Sequence, residues 1–150
     1  MNTPVDRNGF IQICIVVCDI ETAVRQWAGL LGIPMPEIRK IRLEGGGDYQ
    51  YRGRPETCEL KVCNIEMPGF VLEIHEPVEG ASTFQEFLDR HGNGVHHIGF
   101  EVGDKRDAII DELSAEGYAM RTIGYYPGSS WTIVDSEDTL GVNLNIKPVR

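Results

Sequence analysis

The chain has 150 residues, 41% of them hydrophobic and 25% charged, the balance of a globular protein of about one core rather than of a disordered segment. Fourteen Lys and Arg stand against 23 Asp and Glu, and a net charge of −9 argues against nucleic acid or an anionic membrane surface as partner, since both call for a basic face. No apolar run reaches the roughly 20 residues that span a bilayer, and the opening residues 1–6 lack the basic and apolar regions of a secretory signal. Cys14, Cys18, Cys58 and Cys63 form neither a CxxC pair nor a zinc-finger spacing, so free thiols and a cytoplasmic protein are expected.

In chain order, the first predicted element is a strand in which Ile11, Ile13, Ile15 and Val17 share one face and Gln12, Cys14 and Val16 the other. Asp19 then leads a helix of about three turns, closed by Gly32. Strand candidates follow at residues 38–43, 58–66 and 69–75, interrupted by a glycine-rich stretch over 44–55 that reads as a mobile loop. Residues 81–91 set Phe84, Phe87 and Leu88 at helical spacing. A second strand runs from Val95 to Val102, Asp104 leads a second helix ending at Gly117, and strands are expected at 119–125, 130–135 and 141–147.

The second half repeats the first. Gln12, Ile13, Val17, Asp19 and Gly32 each have a counterpart 85 residues later in His97, Ile98, Val102, Asp104 and Gly117. The ends also match, Leu72-Glu73-Ile74-His75 over Leu144-Asn145-Ile146-Lys147 with a proline after each, at a shift of 72 residues. Each half is therefore a β-α-β-β-β module: module one over about 10–77, a linker helix over about 81–91 and module two over about 94–148, within one domain over 1–150.

Pleat parity then selects residues. If Ile13, Ile98, Leu72, Ile74, Leu144 and Ile146 face the helices, Gln12, Glu73, His97 and Asn145 occupy matching positions on the opposite side of a duplicated sheet. By the same parity His75 and Lys147 share that side, while His96 goes with the packing face.

These segments resemble the vicinal oxygen chelate superfamily, which includes glyoxalase I, methylmalonyl-CoA epimerase and bleomycin-resistance proteins. The stretch from Gly94 to Val102 resembles the second-module start of its epimerase-like members, Val71 to Pro77 the strand ending the first module, and Gly141 to Ile146 its second-module counterpart. The resemblance implies an α+β fold in which two paired βαβββ modules form a cupped mixed β-sheet with helices on the outer face. It also implies a divalent metal (Co, Mn, Ni, Mg or Zn) held at Gln12, Glu73, His97 and Asn145. Gln12 stands where His is commoner. Asn145 stands where epimerase-like enzymes carry a Glu that is both ligand and proton-transfer base. With one anionic ligand the alternative is a metal-free pocket in which these side chains, Gln12 and Asn145 among them, hydrogen-bond the substrate directly.

Acid–base chemistry survives in Glu73 and His97, with His75 two residues beyond Glu73 as a second proton-transfer candidate or a rim histidine. Lys61 reads as pointing away from the apolar side, a candidate for polarising a carbonyl or a surface lysine. Trp131 and Ile133 are pocket candidates on the strand equivalent to that of Lys61, Tyr49, Tyr51, Tyr125 and Tyr126 are candidates for closing over a flat ligand, and Arg52 and Arg54 for meeting an anionic group. The reading is an isomerase, an epimerase or racemase moving a proton at a carbon alpha to a carbonyl of an acyl thioester or an aromatic ketone such as an isoflavanone. The alternatives are a non-catalytic small-molecule binding or resistance protein and a glyoxalase-type lyase. A homodimer is expected, with edge strands as the means of association.

Overall fold

The computed structural model describes residues 1–45, 49–126 and 128–149, without the side chain of Tyr126. The apolar alternation of the first predicted strand builds β1 (Phe10–Val16) into the middle of a mixed sheet. Along the chain it is joined by β2 (Arg39–Leu43), β3 (Tyr49–Tyr51), β4 (Arg54–Pro55), β5 (Cys58–Met67), β6 (Phe70–Gly80), β7 (Gly94–Glu101), β8 (Met120–Tyr126), β9 (Ser129–Val134) and β10 (Asn143–Lys147). Among the described residues these ten strands lie side by side in the order β2-β5-β6-β1-β7-β10-β9-β8-β3-β4. β1 runs parallel to β6 and β7 parallel to β10, while β1 and β7 meet antiparallel, so the two halves mirror each other across that seam.

The sheet curls. Pro55 of β4, at one end of the order, is three residues from Cys58 of β5, which lies next to the other end. Three peptide steps reach at most about 11 Å, so the two ends of the sheet lie close together.

Helices α1 (Ile20–Leu31) and α3 (Arg106–Ala115) cover the convex face. Asp19 caps α1 by accepting the Thr22 N–H at 3.0 Å, and Gly32 ends it in the left-handed conformation, as the sequence indicates. Ile20 and Val24 of α1 pack with Val17, Cys63, Ile65, Leu72 and Ile74, while α3 buries Ile109, Ile110 and Leu113 against Val134 and Ile146. Each large apolar side chain removed from water in these layers contributes on the order of 1.5–3 kcal/mol. Asp104 does not cap α3: it lies in a 3-10 turn, Gly103–Lys105, that precedes the helix.

The linker helix α2 (Thr83–His91) takes the other side. Its Phe84 and Phe87 pack with Cys14, Val16, Tyr49, Leu60 and Val62, so it plugs the concave face, while the module helices α1 and α3 lie outside as expected. A short helix, α4 (Glu137–Leu140), precedes β10.

The stretch read as a mobile loop is partly a hairpin. Tyr49–Tyr51 pairs with β8 and with Arg54–Pro55, and Tyr49 is fully buried. Arg52 (φ 50°) and Gly53 (φ 75°) both have positive φ, which a two-residue turn between twisted strands requires. Residues 46–48 of that stretch, and Pro127, lie outside the described residues. A second departure is a bulge in β7. Cys14 pairs with His97 and Ile15 with Val95, which leaves His96 as the extra residue. His96 therefore packs on Phe84 and Phe87, not on the convex helices with Ile98.

Candidate functional site

The concave face encloses a cavity of about 710 Å³, within the range of small-molecule sites. Gln12, Glu73, His75, His97, Asn145 and Lys147 line it with Trp131, Tyr125 and Phe84. Leu60, Val62, Ile41 and Leu43 supply an apolar wall, and Arg39, Arg42, Glu44 and Glu66 also border the space.

Strand register sorts the polar residues into two levels. On one, Cys14 of β1 pairs with Glu73 of β6 on one side and with His97 of β7 on the other, so three neighbouring strands present Glu73, Cys14 and His97 abreast. Two residues along β1 lies the other level, where Gln12 pairs with Val71 and Gly99, and Gly99 pairs with Asn145 of β10. Gly99 leaves the path open: a Cβ there would collide with the Gln12 side chain, which crosses it to Asn145. Asn145 Nδ2 donates to Gln12 Oε1 at 2.6 Å, and Asn145 Oδ1 accepts the Thr132 N–H at 3.1 Å.

Glu73 Oε2 stands 3.7 Å from both His75 Nε2 and His97 Nε2. Burial works against its charge, but interaction with His97 and the nearby His75 and Lys147 outweigh it and hold the carboxyl below its ordinary pKa. Glu73 is thus a carboxylate at neutral pH. Burial, with a further contribution from His97, pushes His75 down to about 4 against the pull of Glu73, so His75 is neutral. Burial also drives His96 well below its usual value, and burial with the Glu73 charge drives the Cys14 thiol well above its own.

The histidines are chained. Thr83 Oγ1 lies 3.0 Å from His96 Nε2, and His96 Nδ1 lies 2.8 Å from His97 Nδ1. If Thr83 donates to His96 and His96 to His97, His97 carries its proton on Nε2, and the Glu73 charge favours that arrangement. His97 is 1% exposed, and its Nε2 addresses Glu73 and the cavity alone.

The sequence candidates Lys61, Tyr49, Tyr51, Arg52 and Arg54 lie outside the lining. Lys61 faces α1, its Nζ 3.6 Å from Glu21 and 3.7 Å from Glu76, because β5 is apolar on both faces and Leu60 and Val62 take the concave one. Tyr49 donates its hydroxyl to the Ala81 carbonyl at 2.8 Å and stacks on Trp131 instead of closing over a ligand. Tyr51 donates to Glu86 on α2, and Arg52 pairs with the same carboxylate, so neither meets the cavity. Trp131 does meet it, its ring lying over Gly124, where a Cβ would collide with the indole. Sequence parity placed Lys147 on the correct side without giving it a role. It missed the alignment of Cys14 with Glu73 and His97, for which the parity of β1 was the available signal.

A scan of family models matches residues 11–134 to the Glyoxalase/Bleomycin resistance protein/Dioxygenase superfamily. The chain belongs to this superfamily. Solved structures share the superfamily fold at low identity. A variant of Streptomyces coelicolor methylmalonyl-CoA epimerase in complex with 2-nitronate-propionyl-CoA is 20% identical, with 96% of this chain and 97% of that one covered and a TM-score of 0.61. Methylmalonyl-CoA epimerase from Mycobacterium tuberculosis is 19% identical over 95% of this chain and 88% of its own, TM-score 0.59. A hypothetical protein from Bacillus halodurans C-125 is 20% identical over 92% and 91%, TM-score 0.61. No curated protein matches the chain.

The divalent ion implied by resemblance to the superfamily needs four donors open to one point. Here the oxygens of Gln12 and Asn145 already accept hydrogen bonds from Asn145 and Thr132, one level away from Glu73 and His97. The two amides are thus engaged with each other and with Thr132, each oxygen keeping a second lone pair. The donor atoms of Cys14, Glu73 and His97, by contrast, lie within 4.8 Å of one another.

Proposed function

We propose that the protein is an epimerase or racemase that moves a proton at a carbon alpha to a carbonyl, with Glu73 as the base. The carrying observation is a buried, ionised carboxylate flanked by two imidazoles at 3.7 Å, in a cavity with one wall of Leu60, Val62, Ile41 and Leu43. Such walls exclude water and strengthen the charge interactions inside.

In this reading the substrate carbonyl lies near Gln12 and His97. The bond from Asn145 Nδ2 fixes the Gln12 carbonyl and turns its NH2 end toward a ligand oxygen. Together with His97 Nε2–H this supplies two donors for the oxygen that becomes negative as the alpha proton passes to Glu73. Lys147 adds a positive charge to the same space. Glu73 keeps the abstracted proton, and delivery of a second proton to the opposite face of the flat enolate by another acid, for which Lys147 on the same cavity is the candidate, inverts the centre. Trp131 and Phe84 offer flat apolar surface for an aryl ketone, while Arg39 and Arg42 at the border suit the anionic end of an acyl thioester.

Solvent deuterium exchange tests this. The protein is incubated in D2O with methylmalonyl and related acyl thioesters and with isoflavanones, and the alpha proton is followed by NMR. Loss of that signal from one class supports the reading and names the substrate class; no exchange in any of them contradicts it. A second reading, a non-catalytic binding protein, is favoured by Asn145: its amide is committed to Gln12 and Thr132 and adds no second carboxylate. Binding without exchange is its signature.

A further inference from the structure

We propose that the apolar half of the cavity is a slot for a flat aryl ring. The substrate is then an uncharged carbonyl compound with that ring on its enolisable carbon, and not a coenzyme A thioester. The reaction rests on the epimerase reading above; the slot as a binding site does not. Its walls support it first. Trp131 of β9 and Tyr125 of β8 supply aromatic surface, and Ile41, Leu43, Leu60 and Val62 supply aliphatic surface from the opposite end of the strand order, which the curl brings near. Trp131 is seated against β8 at Gly124, where a Cβ would collide with the indole, yet the ring is only half-buried and borders the cavity. An indole presented in this way favours a second ring, stacked with an offset or edge to face.

Position supports it next. The Phe84 ring stands 5.7 Å from that of Trp131 and 6.4 Å from that of His97, centroid to centroid. A single phenyl ring thus bridges the slot and the imidazole beside Glu73. A ligand whose aryl ring is bonded directly to the enolisable carbon matches that spacing, with the ring in the slot and the carbon at the polar end. Conjugation of the enolate with the ring also eases loss of the proton.

Charge decides against a nucleotide. The pyrophosphate and phosphate of coenzyme A call for a cluster of cations. Around this cavity Arg39, Arg42 and Lys147 are offset by Glu44, Glu66 and Glu73, and Arg42 pairs with Glu44 at 2.6 Å. The whole chain adds a net charge of −9. A cavity of about 710 Å³ takes a drug-sized ligand whole. The nucleotide of a thioester extends beyond it, over a border where the charges already balance.

Calorimetric titration of the intact protein compares isoflavanone, propionyl-coenzyme A, and the phenylacetyl thioesters of N-acetylcysteamine and of coenzyme A, with circular dichroism as the check on folding. Isoflavanone is expected to bind at least about tenfold more tightly than propionyl-coenzyme A. The two phenylacetyl thioesters should bind alike, the nucleotide adding nothing. Trp131→Ala, and Trp131→Leu with its better filling of the space, each weaken isoflavanone at least about tenfold, while Trp131→Phe keeps most of the affinity. Tighter binding of propionyl-coenzyme A than of isoflavanone overturns the inference. So does an affinity for phenylacetyl-coenzyme A that exceeds that of the short thioester and falls with salt, or isoflavanone binding unchanged in the folded Trp131 variants. Deuterium exchange separates slot from reaction. Exchange in propionyl-coenzyme A alone overturns the aryl assignment and leaves Glu73 as the base; Trp131-dependent binding of isoflavanone without exchange in any compound keeps the slot and contradicts the epimerase.

Discussion

Two glycines show how the absence of a side chain positions polar chemistry. Gly99 lies beneath Gln12 and Gly124 beneath Trp131. Gly99→Ala therefore pushes Gln12 off Asn145, and overpacking of this kind costs about 1–3 kcal/mol. Urea melts should show that loss, and a smaller loss for the same change in a Gln12→Ala background, because the shorter side chain no longer crosses position 99. Equal losses in both backgrounds would show that the collision is not what makes Gly99 necessary. Parity made Gln12, Glu73, His97 and Asn145 legible as cavity-side positions, because period-2 alternation is written residue by residue in β1, β6 and β10 and in β7 beyond its bulge. The two glycines were silent, since what they accommodate comes from another strand.

Among the elements, α1 was the most legible, for Asp19 and Gly32 act within one turn of their own positions. The β3–β4 hairpin was hidden by glycine-rich surroundings. Its cue was Tyr49 and Tyr51 alternating ahead of Arg52-Gly53, where Arg replaces the Asn or Asp that normally announces such a turn. Lys61 was misplaced because alternation names a face only when one face is apolar, and β5 is apolar on both. The bulge at His96 depends on how β7 pairs with β1, a property of two strands at once. Tyr49 anchors the hairpin through the Ala81 carbonyl. Tyr49→Phe leaves that carbonyl without its partner and should destabilise by about 1–3 kcal/mol in thermal or urea melts; an unchanged midpoint would remove the anchor from the account.

For the molecule as a whole, burial of imidazoles under α2 sets the response to acid. His75 has a pKa of about 4 in the folded protein, below the usual 6.5, and His96 is also depressed. The unfolded chain therefore binds more protons between pH 6.5 and 4. Stability is full above about pH 6.5 and declines as the pH falls toward 4, by on the order of 3 kcal/mol for His75 alone. Urea midpoints at pH 7 and pH 5 should fall in that direction, with a shallower fall in His75→Leu. A wild-type midpoint independent of pH across that window would contradict the burial. The curl of the sheet was less legible than its strands, because it arises from α2 filling the concave side and from β3 and β4 joining β8. It is this curl that turns residues from distant parts of the sequence toward one cavity.

The most direct test of the account is alpha-proton exchange measured on Glu73→Gln beside the wild type, with ligand binding followed separately by thermal shift. Glutamine keeps the shape of the side chain and removes its basicity, so exchange should drop about 10²–10⁴-fold while binding persists. Exchange at the wild-type rate in Glu73→Gln would show that another group takes the proton.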